Sequence, residues 1–126
     1  MKQMITTTGN VAKPLDISIL MRYLDSPGEQ DPLIVEMLEL FLAEGIKVWQ
    51  QLTGIDAADE GDLLKHICHR MQGIARYIGL LTLERAALSI ENTGGSPDSL
   101  AQLVAEVEYM IQAIRLTLAF ITLEKH

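Results

Sequence analysis

The stretch Leu63-Leu64-Lys65-His66-Ile67-Cys68-His69-Arg70-Met71-Gln72-Gly73-Ile74-Ala75-Arg76-Tyr77-Ile78-Gly79 sets both the fold and the chemistry. On an α-helix each residue lies about 100° round the axis from the last. Counted from His69, the residues Leu64, Ile67, Met71, Ile74 and Ile78 fall within about 40° of the opposite direction. They make an apolar seam for a core, and His69 points away from it toward solvent. Lys65, His66, Gln72, Gly73 and Arg76 share its side, at offsets of three, four or seven residues. Gly79 is a natural helix terminator.

Working outward, the same periodicity recurs. Asp31-Pro32 pairs an N-cap acceptor with a proline at the first helical position. Ile34, Leu38, Phe41, Leu42, Ile46, Trp49 and Leu52 then mark one apolar stripe. Asp16 is placed to cap a short helix through Asp25 that carries Ile17, Leu20, Met21 and Leu24, and Ser26-Pro27-Gly28 breaks it. Beyond Gly79 a fourth helix is predicted from about Thr82 to Asn92, ended by Thr93-Gly94-Gly95. Ser96-Pro97-Asp98 opens the last one, with Leu100, Leu103, Val107, Met110, Ile111, Ile114, Leu118 and Ile121 on one side. No segment alternates with period two. The expected fold is all-α: an antiparallel up-and-down four-helix bundle with a short additional N-terminal helix. Residues 1–13 are expected to form a flexible tail or linker, and 14–126 the bundle domain.

Composition agrees. Of 126 residues 48% are apolar but only 5% aromatic, a Leu/Ile/Ala/Val/Met-rich mixture suited to facing helices. The net charge of −7 disfavours nucleic acid and anionic membrane surfaces as partners. One cysteine, Cys68, excludes an internal disulfide and fits a reducing compartment. No run of about 18 uncharged apolar residues is present, and Met1–Asn10 has no apolar run of signal-peptide length. The expectation is a cytoplasmic protein.

Two features of the third helix point to chemistry. Lys65, Arg70 and Arg76 bring positive charge to His69 in an acidic chain, and Gly73, one turn on, leaves the ring uncrowded at a cost of about 1 kcal/mol relative to alanine. An open imidazole among cations suits a nucleophile that accepts a phosphoryl group. Helix geometry by itself also fits an ordinary surface histidine. His66, Cys68 and His69 do not make a metal site, because Cys68 lies about 100° from His69 and no fourth ligand is at hand. No phosphate-cradling glycine loop precedes a Lys-Ser/Thr pair.

The string His69-Arg70-Met71-Gln72-Gly73 followed by Ile78-Gly79-Leu80 resembles the signature of histidine-containing phosphotransfer (HPt) domains, His-x-x-Lys-Gly and then a second glycine. The stretch that begins Asp31-Pro32-Leu33-Ile34 is similar to the family's preceding helix, and the likeness runs from about Leu15 to Leu123. The resemblance implies a four-helix bundle with a short helix in front, of the kind that stands at the C-terminus of a hybrid sensor histidine kinase. It implies that His69 is the phosphohistidine, reacting through Nε2, with Gly73 keeping it accessible. It also implies that Glu91, late in the next helix, accepts from Nδ1–H. Gln72 stands where the family has lysine. Gln72, Gly73, Arg76, Arg70 and Glu91 are the expected phosphate or imidazole supports, and Lys65, His66, Gly73 and Arg76 the docking residues.

By this resemblance the chain is a phosphoprotein of a two-component phosphorelay. His69 would take its phosphoryl group from a receiver aspartate and pass it to a response regulator. The domain would be a carrier rather than an independent kinase, with no cofactor of its own and Mg²⁺ on the partner receiver. Its expected partners are receiver domains of a sensor kinase and a regulator, with no nucleic acid or membrane contact, and the isolated domain is expected to be a monomer. The rival is a non-catalytic helical interaction module that has lost transfer with the lysine.

Overall fold

A computed structural model describes residues 11–124. The chain is all-helical, with helices α1 (Ser18–Tyr23), α2 (Pro32–Thr53), α3 (Gly61–Ile78), α4 (Leu81–Thr93) and α5 (Pro97–Glu124), and no strand among the described residues. None of these helices is long and apolar enough to cross a membrane. The expected tail falls largely on residues 1–10, outside those described.

The helix starts have local causes. The Asp31 carboxylate accepts from the Leu33 N–H at 2.9 Å, and Pro32 follows at the first helical position. Ser96 and Ser99 cap α5 reciprocally: Ser99 N–H donates to Ser96 Oγ at 3.1 Å, and Ser96 N–H to Ser99 Oγ at 2.8 Å. Asp16 accepts from Ser18 N–H at 3.0 Å, and these Ser18 hydrogen bonds hold its carboxyl below the usual range. The first helix stops at Tyr23 rather than Asp25, because Asp25 turns to a positive φ of 53°. Gly79 ends α3 at φ 72°, a left-handed conformation that costs glycine nothing. Only Gly79 and Leu80 separate α3 from α4.

The main packing contacts run between α3 and α4, α2 and α5, and α4 and α5, with α1 against α3. One core joins them: Leu20 of α1, Ile34, Leu38 and Val48 of α2, Ile67 and Met71 of α3, Leu83 and Ile90 of α4, and Leu103, Met110 and Ile114 of α5. Burying each such side chain contributes roughly 1.5–3 kcal/mol. Gly45 marks a close approach of α2 to α5: a Cβ there would meet Met110 Cε at 2.5 Å and Ile111 Cγ1 at 3.3 Å. The segment before α1 is tied to α5, since Leu15 N–H donates to Thr117 Oγ1 at 2.8 Å while that hydroxyl donates to Ala113 O at 2.8 Å.

The rotation of α3 differs from the one expected. Its buried face is Leu64, Ile67, Cys68, Met71, Gln72, Ala75 and Ile78. The centre of that set lies about 40° round the axis from the direction opposite His69. Packing on α4 covers the Cys68–Gln72–Ala75 flank, and Ile74 is left only half-buried.

Candidate functional site

His69 keeps its outward aim after this rotation. Its side chain is 79% exposed, on the edge of α3 that adjoins α4. Gly73 lies one turn further along, and a Cβ built on it meets nothing within 4 Å. No packing demand therefore explains a glycine at that point in the helix. The space beside the ring is open.

Glu91, near the end of α4, faces the imidazole. Its Oε2 lies 3.5 Å from His69 Nδ1, with the Glu91 side chain 29% exposed. That separation is longer than a formed N–H···O bond of about 2.7–3.2 Å. The other carboxylate oxygen, Oε1, accepts from Gln72 Nε2 at 2.8 Å. Glu91 thus lies beside the ring without a formed hydrogen bond to it.

Gln72 does not stand on the open face as expected. It is 4% exposed, turned into the α3–α4 seam, with its amide committed to Glu91 rather than free for a phosphate. The cause is the rotation of α3, which brings position 72 under α4.

The two arginines are committed as well. Arg70 forms an ion pair with Glu44 of α2, and Arg76 donates from Nε to Glu84 of α4 at 2.7 Å. Both guanidinium groups remain at the rim, but each charge is already partnered. Lys65 and His66 are exposed on the same helix. Reading the sequence does not single out Glu44 or Glu84. Nothing local marks Glu44, because its meeting with Arg70 depends on the register of α2 against α3. Glu84 lies eight residues beyond Arg76, across the Gly79 turn.

Cys68 backs onto this site from the interior, fully buried. Burial pushes its thiol up to about 11, and the Glu91 charge adds to the effect. Among the described residues no group of three or more His, Cys, Asp or Glu is arranged to hold a metal ion. The exposed aromatic Tyr23 packs on Tyr77, ring centroids 4.5 Å apart, and Tyr77 stacks on Phe41 at 6.3 Å, a cluster two turns beyond His69.

The arrangement is an exposed imidazole on a helix, with a carboxylate behind it and open space beside it. Residues 36–117, which include every group of this site, match the model of the Hpt domain family, and the chain belongs to that family. Hpt domains carry out histidine phosphotransfer in phosphorelays and interact with receiver domains of kinases and response regulators. No curated protein and no solved structure matches the chain.

Proposed function

We propose that His69 is the phosphorylated residue of this domain. It takes the phosphoryl group from a receiver aspartate and passes it to the aspartate of a response regulator. The observation that carries the reading is the pairing of an imidazole 79% exposed with a helical glycine that nothing in the fold requires. Attack comes from Nε2, the nitrogen turned away from Glu91. The Nε2–P bond forms as the acyl phosphate O–P bond breaks, and the aspartate leaves as a carboxylate with the bonding pair. The proton on Nδ1 stays with the ring, where the Glu91 carboxylate offsets the positive charge that develops.

Transfer of this kind depends on positioning and charge stabilisation rather than on elaborate covalent chemistry. The receiver partner supplies an acidic pocket with Mg²⁺, and this domain supplies the nucleophile and a docking face built from Lys65, His66, Gly73 and Arg76. We read residues 14–126 as the whole transfer unit and α2–α5 as an antiparallel up-and-down bundle. The short α3–α4 joint and the α2–α5, α3–α4 and α4–α5 packing support that arrangement. The domain acts in the cytoplasm as a monomeric carrier.

Incubation with a phosphorylated receiver tests the assignment. The wild-type chain is expected to acquire acid-labile, alkali-stable phosphate, and His69→Gln none. Label on His69→Gln would overturn the choice of residue. Tight receiver binding with no label on the wild type would make the domain a binding module instead.

A further inference from the structure

We infer that Gln72 is a positioning residue: through the Glu91 carboxylate it keeps the proton of His69 on Nδ1 and leaves Nε2 bare for attack. This role rests on the phosphotransfer reading above and extends it to a residue that never meets the phosphoryl group.

Gln72 and Thr117 are the buried polar side chains among the described residues. Thr117 is accounted for by its bonds to Leu15 and Ala113. Gln72 spans two helices instead, donating to Glu91 Oε1 at 2.8 Å across 19 residues of sequence. A primary amide buried in an apolar seam is costly unless it is hydrogen-bonded, so the pairing is held firmly. The opposite amide orientation would set its oxygen against the carboxylate and is disfavoured. With Oε1 fixed in this way, the rotation of the carboxylate is fixed too, and Oε2 is the atom turned to His69 Nδ1 at 3.5 Å.

The charges around the pair matter equally. Arg70 is held by Glu44 and Arg76 by Glu84. The group that grips Glu91 is therefore a neutral amide, which orients the carboxylate without cancelling its charge. An ammonium group in the same place would weaken the pull of Glu91 on the Nδ1 proton. Free imidazole favours the Nε2–H tautomer, so an oriented anion beside Nδ1 is what makes Nε2 the lone-pair nitrogen.

The test uses the full 126-residue chain with ¹⁵N-labelled histidine, and phosphoramidate as a small donor that needs no docking. In that reaction the donor N–P bond breaks as Nε2–P forms, and the nitrogen leaves as ammonia. In the wild type at a pH where the ring is neutral, the ¹⁵N shifts should report a bare Nε2 and a protonated Nδ1. Gln72→Met, close in shape but unable to donate, should shift the tautomer toward Nε2–H and slow phosphorylation about tenfold, the size of one charge-assisted hydrogen bond. Gln72→Asn, too short to reach Glu91, should give the same shift and serves if Gln72→Met does not fold. Because Gln72 acts through Glu91, Gln72→Met with Glu91→Ala should be no slower than Glu91→Ala alone. Unchanged ¹⁵N shifts in a folded Gln72→Met protein, or losses that multiply in the double variant, overturn the inference and leave phosphotransfer standing. A wild type that takes no phosphate from a phosphorylated receiver sinks the phosphotransfer reading, while the ¹⁵N shifts still decide what Gln72 does to the ring.

Discussion

At the scale of single residues, Gly73 is the position where local stability and the proposed transfer pull in opposite directions. A glycine inside a helix costs about 0.5–1 kcal/mol relative to alanine, and at this site a Cβ would find nothing within 4 Å. Gly73→Ala is therefore expected to raise stability by about that amount, read as a higher midpoint in chemical or thermal unfolding. Gly73→Leu should fold with unchanged helix content by circular dichroism yet receive phosphate from a receiver more slowly, because the longer chain crowds the imidazole one turn back. Equal transfer rates in the two proteins would remove access as the reason for the glycine. The outward aim of His69 and the open space at Gly73 are legible in the sequence because each depends on the geometry of one helix. The Gln72–Glu91 pair was not, since its two halves lie on different helices. Nor were the partners of Arg70 and Arg76, which neighbouring elements supply.

Helices meet each other through features that a periodicity count partly hides. Their starts at Pro32 and Pro97, and the stop at Gly79, follow from cap residues visible in the sequence. The rotation of α3 did not follow. A seam drawn through its large apolar residues favours Ile74, whereas the packed face uses the small Cys68 and Ala75 and the polar Gln72 to let α4 approach. Small size at a helix contact is a packing signal that a hydrophobic stripe undervalues. Gly45 makes the same point between α2 and α5. Its absent side chain lets Met110 and Ile111 settle against the helix backbone. Gly45→Val should lower stability by about 1–3 kcal/mol as the extra atoms force those side chains off their rotamers. Asp31→Ala, which removes the cap of the same helix, should cost about 0.5–2 kcal/mol. Urea unfolding checks both. A neutral Gly45→Val would show that α2 and α5 separate more readily than their contact suggests.

For the molecule as a whole, Cys68 reports on whether the core opens as one unit. The thiol is fully buried among the residues of the common core, behind the face that carries His69. A reagent that needs the thiolate meets two barriers: the ring of packed helices, and a thiol pushed up to about 11 chiefly by burial. Cys68 should therefore react at neutral pH only through opening of the fold, and its labelling rate should rise with urea in step with global unfolding. The direction of the pH effect follows from the same burial. The folded thiol ionises at a higher pH than the unfolded value of 9.0, so the unfolded chain loses its proton first as pH rises. The stabilisation is intact below 9.0 and lost as pH passes through about 11. Cys68→Ala, which has no group to ionise, should show a smaller loss of stability over that interval than the wild type. Fast labelling of native protein at neutral pH, with no dependence on urea, would mean that α3 and α4 part locally. The carboxylate behind His69 would then be less firmly placed than the core packing indicates.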